Sequence, residues 1–161
     1  MRTVKPSWKS EVVPCEFKLV RQVEFPDTDK SGFVHFSAFL RYMEAAEHAF
    51  FRSLGHSIWT RNIDPPVGWP RVKAGCDLQH PLRFEDEVEI HLLVREKKDK
   101  SIAYGFIFRK LNEQPVKEVG RGTLVVVCVR RYKGKMKSVS IPPVIAERIE
   151  VAPPELFEPC P

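Results

Sequence analysis

The sequence predicts an α+β fold in which an antiparallel sheet of about five strands wraps around one long α-helix. Three observations carry this: an amphipathic run with helical spacing from Phe36 to Leu54, an alternating run before it at residues 15–25, and four β-rich runs after it between residues 71 and 129. The chain has 161 residues, 43% of them hydrophobic and 29% charged, which suits one globular domain large enough to bury a core. We expect residues 1–161 to form a single domain with its core at about 15–150, flanked by an N-terminal lead-in and a proline-rich C-terminal tail.

Residues 1–14 are polar and broken by Pro6 and Pro14, and read as the lead-in. They lack the apolar centre of a signal peptide, and no apolar run nears the roughly 20 residues of a membrane span, so a cytoplasmic location is expected. From Cys15 to Phe25, Phe17, Leu19, Val23 and Phe25 give an apolar face against Lys18, Arg21 and Glu24, a strand with a bulge expected near Val20-Arg21-Gln22. In the helical run, Phe39, Leu40, Met43, Ala46, Phe50 and Leu54 form one stripe and Gly55 supplies the stop. Glu44, Glu47, His48 and Arg52 are expected mostly on the opposite, solvated or interfacial side.

Residues 56–70 hold Pro65, Pro66, Gly68 and Pro70 and must be a loop, with Trp59 and Trp69 either lining a pocket or anchoring it on the core. Four strands are then expected at Arg71–Gln79, Glu87–Glu96, Ser101–Leu111 and Val119–Val129, joined by hairpin-like connections. Near the C-terminus a short helix fits residues 141–149, and residues 151–161 read as irregular.

Cys15, Cys76, Cys128 and Cys160 form no CxxC pair, which argues for buried thiols rather than a zinc site or disulfide framework. The net charge of +5 favours an anionic partner without choosing among nucleic acid, a lipid surface and a phosphate-bearing cofactor.

The candidate chemistry lies in Phe25-Pro26-Asp27-Thr28-Asp29-Lys30-Ser31-Gly32-Phe33-Val34-His35-Phe36. Two carboxylates precede a turn glycine and a helix N-terminus, whose free N–H groups and dipole suit a developing oxyanion, while a fixed carboxylate suits general-base work. Asp27 is expected to accept turn N–H bonds, and Gly32 to give the turn its backbone freedom. His35 is open between a substrate contact, tuning of Asp29, and a polar partner for loop backbone.

The motif Val23-x-Phe25-x-Asp27-Thr28-Asp29-x-x-Gly32-x-Val34-His35, with Phe39, Glu44 and Leu54-Gly55 beyond it, resembles that of the hotdog-fold acyl-CoA thioesterases of the 4-hydroxybenzoyl-CoA thioesterase type. Weaker agreement at Pro81-Leu82, Glu85-Asp86 and Ile141-Pro142 extends the likeness over about 17–149. The resemblance implies hydrolysis of an acyl-CoA thioester, with Asp29 as nucleophile or as base for water. It further implies that the thioester oxygen sits against helix N-terminal amides around His35, Phe36 and Ser37. On the same footing Asp27, Gly32 and Ser37 join the substrate-binding set. Lys98, Lys100 and Arg71, with Lys73 less firmly, are implied contacts for coenzyme A phosphates; Asp99 interrupts that basic run, and Phe39 and Lys30 depart from the family pattern. No metal and no cofactor beyond the coenzyme A of the substrate is implied, and relatives form homodimers or homotetramers with sites at the subunit interface.

Other classes of function fit these residues less well or stay open. A metal site on Asp27-x-Asp29 would need further oxygen ligands and a different framework, and the dispersed basic residues do not form a nucleic-acid face. A non-catalytic acyl-CoA or acyl-carrier-protein binding role, or action on an acyl carrier protein thioester, stays open because fold does not fix function.

Overall fold

The computed structural model describes residues 14–159. Strand β1 (Glu16–Gln22) leads through a 3-10 turn (Phe25–Asp27) to helix α1 (Phe36–Ser53), and β2 (Arg71–Leu78), β3 (Glu87–Lys97), β4 (Ser101–Lys110) and β5 (Lys117–Val127) follow. A short hairpin of β6 (Val129–Tyr132) and β7 (Lys135–Ser138), helix α2 (Pro143–Ala146) and a 3-10 turn (Pro154–Phe157) complete the order.

The five main strands form one antiparallel sheet in the order β1-β3-β4-β5-β2, with α1 against one face. Phe39, Met43, Ala46 and Phe50 of α1 meet Ile90 and Leu92 of β3, Phe106 and Phe108 of β4, and Leu124 and Val126 of β5 in the core, all nearly inaccessible. Period-2 alternation sends Leu93 and Ile107 to the other face, where they join Cys15 and Ala152 under Leu156 and Phe157 of the C-terminal segment. That segment straps the outer face: Ala152 N–H donates to Val94 O at 2.8 Å, and a methyl placed on Gly105 would stand 2.9 Å from the Phe157 ring.

The helix starts and stops where its pattern indicates, and Gly55 takes a positive φ of 83° just past the end. Several finer expectations are corrected. β1 pairs with β3 in unbroken register from Glu16↔Leu93 to Gln22↔Glu87, and the irregularities fall at Arg71/Lys73, Val94/Glu96 and Phe108/Arg109 instead. Residues 79–86 are not a hairpin connection, because β2 and β3 lie at different places in the sheet and this stretch crosses over. The fourth β-rich run ends at Val127, and residues 129–138 form a separate hairpin that period counting merged with it. Trp69 is buried against Phe51 and anchors its loop, whereas Trp59 is exposed. Of the four cysteines, Cys15, Cys76 and Cys128 are free thiols; Cys160 and most of the lead-in lie outside the described residues. Among the described residues no helix is long and apolar enough to cross a membrane.

Candidate active site

The acidic motif folds into a tight turn between the 3-10 turn and α1. Asp29 N–H donates to Phe33 O at 2.9 Å, Gly32 N–H donates back to Asp29 O at 2.9 Å, and a bridge between Thr28 and Val34 closes the loop. Gly32 has φ +82°, a left-handed conformation that side chains with a Cβ resist. The turn docks on the crossover segment, where Val34 N–H donates to Leu82 O at 2.8 Å and Leu82 is buried.

Within this turn the two carboxylates have different surroundings. Asp29 is exposed, its Oδ1 accepting the Ser31 N–H at 2.8 Å and a short bond from the Ser31 hydroxyl. Those Ser31 bonds, with smaller help from His35 and Lys30, hold its carboxyl below the ordinary aspartate value. Asp29 is therefore ionised and open to water. Asp27 is buried, with Oδ2 accepting Tyr42 Oη at 2.8 Å and the Glu24 N–H at 3.1 Å, and Oδ1 accepting Arg41 Nη2 at 3.2 Å. Burial pushes the Asp27 carboxyl up, but the bonds from Tyr42, Glu24 and Arg41 outweigh it and leave the group below its ordinary value. All its oxygens are engaged inside the chain, as expected for a turn-fixing residue.

The start of α1 is set by the same turn. His35 is the N-cap; its N–H donates to Asp27 O at 2.8 Å, and its Nδ1 accepts the Ser37 N–H at 3.3 Å while lying 2.7 Å from Ser37 Oγ. Ala38 N–H donates to His35 O at 2.9 Å. Among the first-turn amides this leaves the Phe36 N–H without an acceptor among the described residues, beside a half-buried His35 and under an exposed Phe36 ring. Asp29, His35, Phe36, Ser37, Asp27 and Gly32 are thus brought together at one end of the fold.

The proposed phosphate contacts are not. Lys98 and Lys100 stand at the β3–β4 turn, by the start of the β6–β7 hairpin, and Lys98 Nζ pairs with Glu96 at 3.5 Å. That is the far end of the sheet, beyond the C-terminal end of an 18-residue helix about 27 Å long. Arg71, at the start of β2, turns to α1: its Nη2 donates to Glu47 Oε2 at 2.6 Å and lies 3.4 Å from Glu44 Oε1. Lys73 is on the exposed β2 edge.

Glu47 overturns the expectation of a solvated helix side, being fully buried, while Leu40, assigned to the stripe, is 42% exposed. The pattern held the clue, since Glu47 lies four residues after Met43 and three before Phe50 on the same side. Desolvation pushes its carboxyl up to about 7 despite Arg71, and its Oε1 finds no partner among the described residues, as is also true of the buried Tyr104 Oη. Leu40, Met43, Glu44, Arg71, Ala74 and Leu124 line a cleft of about 210 Å³ between α1 and the β2 edge. Tyr42, which holds Asp27 in place, was the other residue missed; it lies one position before Met43 of the stripe.

Comparison with known proteins bears on the family and the fold. A sequence profile described as the thioesterase-like superfamily matches residues 23–149. A proposed esterase of Aquifex aeolicus (strain VF5) is 32% identical over 90 residues, 56% of this chain and 70% of that protein. A 1,4-dihydroxy-2-naphthoyl-CoA hydrolase of Parasynechococcus marenigrum (strain WH8102) is 32% identical over 87 residues, covering 47% of this chain and 54% of that protein. The crystal structure of 4-hydroxybenzoyl CoA thioesterase from Pseudomonas sp. strain CBS-3 superposes with a TM-score of 0.76 at 19% identity, over 83% of this chain and 99% of that one. At that identity the superposition speaks to the fold, which is the hotdog arrangement.

Proposed function

The chain belongs to the thioesterase-like superfamily, and from that membership we propose that it is a thioester hydrolase that cleaves an acyl-CoA into free acid and coenzyme A. The observation that carries the site assignment is that an ionised, exposed Asp29 lies in the turn that leads into α1, whose Phe36 N–H has no acceptor among the described residues. The N–H and the helix dipole polarise the thioester carbonyl and stabilise the oxyanion that forms on attack. Asp29 either takes a proton from the attacking water or attacks the carbonyl itself, giving an anhydride that water then opens. In both routes the C–S bond breaks and the coenzyme A thiolate leaves with the electron pair. Asp27 fixes the turn, Gly32 allows its backbone, and Ser37 and His35 cap the helix.

The acyl group has a place in the cleft between α1 and β2, beside Met43 and Leu124. Strand β2 is one of the two edges of the sheet, with Val72 62% exposed and its outer ladder groups unpaired among the described residues. A second copy pairing there antiparallel would cover that cleft and bring the basic end of one chain, with Lys98 and Lys100, beside the Asp29 end of the other. Such a homodimer completes the site that one chain leaves open.

Free-thiol release from a panel of aryl and alkyl acyl-CoA thioesters tests the activity. Hydrolysis of at least one, lost in Asp29→Asn, is the expected result. An acyl-CoA that binds without being hydrolysed would replace catalysis with a carrier or sensor role.

A further inference from the structure

The whole net charge of the protein resides in one ten-residue feature. The β6–β7 hairpin, residues 129–138, carries Arg130, Arg131, Lys133, Lys135 and Lys137 with no acidic residue, which equals the +5 of the chain; everything else is balanced. The hairpin is a built element. Its strands pair from Val129↔Ser138 to Tyr132↔Lys135, and Lys133 and Gly134 both take positive φ, 47° and 76°, as a tight two-residue hairpin turn requires. It is tied to the body by paired bonds between Val129 and Gly68 at 2.8 and 2.9 Å, and by Cys128 N–H donating to Lys100 O at 2.8 Å. It stands at the end of the fold away from Asp29 in the same chain, so the proposed reaction does not use it there.

Its aromatic content narrows the partner. Tyr132 is 58% exposed, with the ammonium groups of Lys133 and Lys137 each 5.5 Å from its ring centre, and Met136 is 65% exposed on the opposite face of the ribbon. In the adjoining loop, Trp59 is 69% exposed with the Arg61 guanidinium 4.6 Å over its ring. Rings that are apolar in body and flanked by long cationic chains suit the boundary between headgroups and acyl chains, where the ring sits shallowly and the cations meet phosphates. We propose that the β6–β7 hairpin, with Trp59 and Arg61 of the loop that bonds to it through Pro65 and Gly68, is a docking surface for an anionic lipid membrane. Cations point from both faces of the ribbon and from its tip, which matches a plane of phosphates met tip-first better than the concave fit of a single phosphate group. Docked this way, the Asp29 end of the same chain faces away from the lipid, and in the proposed antiparallel dimer the site beside the membrane is the partner's.

The test is co-sedimentation of the full chain with vesicles of phosphatidylcholine alone, or with roughly 30% phosphatidylserine, at about 0.1 M salt. The wild type should sediment with the anionic vesicles and stay in solution with the neutral ones. At about fivefold in partition per cation, Lys133→Ser/Lys135→Ser/Lys137→Ser should weaken binding on the order of a hundredfold. Those side chains are exposed, so the triple variant should melt with the wild type; should it unfold, release of the wild type from anionic vesicles by added salt supplies the same evidence. Absence of wild-type binding to anionic vesicles, equal binding to neutral ones, binding that resists salt, or a folded triple variant that binds unchanged overturns the proposal. Retention on a polyanion such as nucleic acid or an acidic protein, with no vesicle binding, overturns the lipid assignment in favour of that partner.

Discussion

Tyr42 Oη donates to Asp27 Oδ2 at 2.8 Å, so the third position of the acidic turn is pinned from within the second turn of α1. The bond joins the turn that carries Asp29 to the helix that carries the Phe36 N–H, and both ends are buried. Removing the Tyr42 hydroxyl leaves Asp27 Oδ2 with the Glu24 N–H alone in a buried site. Tyr42→Phe should therefore cost about 1–3 kcal/mol of stability, read as a lower midpoint in urea. Because the folded-state value of Asp27 is depressed, its contribution is present above the ordinary 3.8 and is lost as pH falls through the lower folded value. Asp27→Asn should correspondingly flatten the acid side of the stability profile while lowering stability near neutrality. Unchanged urea midpoints for Tyr42→Phe would show that the bond contributes nothing.

Asp29 differs from Asp27 in having no structural task beyond its Ser31 bonds. Asp29→Asn should reduce kcat by roughly 10²–10⁴-fold with little change in melting temperature. The Ser31 bonds keep Asp29 ionised at acid pH, so Ser31→Ala should move the acid limb of kcat/KM to higher pH, toward the ordinary aspartate value. A limb that stays in place would mean that another group governs it.

Glu47 reverses the usual sign for a carboxylate. Its folded value near 7 exceeds the ordinary 4.5, so the folded chain binds the extra proton, and stability falls as pH rises between those two values. The window corresponds to at most about 3 kcal/mol at 1.36 kcal/mol per unit. Glu47→Gln keeps the shape and an acceptor for Arg71 without the buried charge. Thermal melts should show the variant above wild type at pH 8 and close to it at pH 5; a wild-type profile with no such slope would contradict the buried, uncompensated carboxyl.

Gly120 sits where β5 meets the edge strand. A Cβ there would stand 2.6 Å from the Asp77 backbone oxygen and 3.0 Å from the Leu78 side chain. Gly120→Ala should push β2 outward at a cost of about 1–3 kcal/mol. Light scattering should show loss of any assembly that relies on that edge, whereas a variant with wild-type mass and stability would place assembly elsewhere.

Much of this architecture was legible in the sequence because local signals and tertiary demands coincide. The stripe Phe39, Met43, Ala46, Phe50 and the glycine at 55 defined α1, and Gly32 between Asp29 and His35 defined the turn ahead of it. What stayed hidden depends on neighbours distant in sequence. Glu47 reads as a surface residue until Arg71, 24 positions away, is seen to cross to it from β2. Tyr42 reads as a generic aromatic until its hydroxyl is seen against Asp27. The β6–β7 hairpin merges with β5 in the sequence pattern because only Cys128 intervenes, and the break comes with its bond to Lys100 in the β3–β4 turn. The proposed phosphate contacts at Lys98 and Lys100 would need a second copy, which no single-chain pattern encodes.

The strap over the outer face of the sheet limits the symmetry open to the protein. With Phe157 lying against Gly105, and Arg121 Nη1 donating to the Phe157 carbonyl, a flat back-to-back stack of two sheets would first have to peel the C-terminal segment away. Higher assemblies that keep the strap in place must grow from an edge strand, β1 or β2, or from the side of the helices.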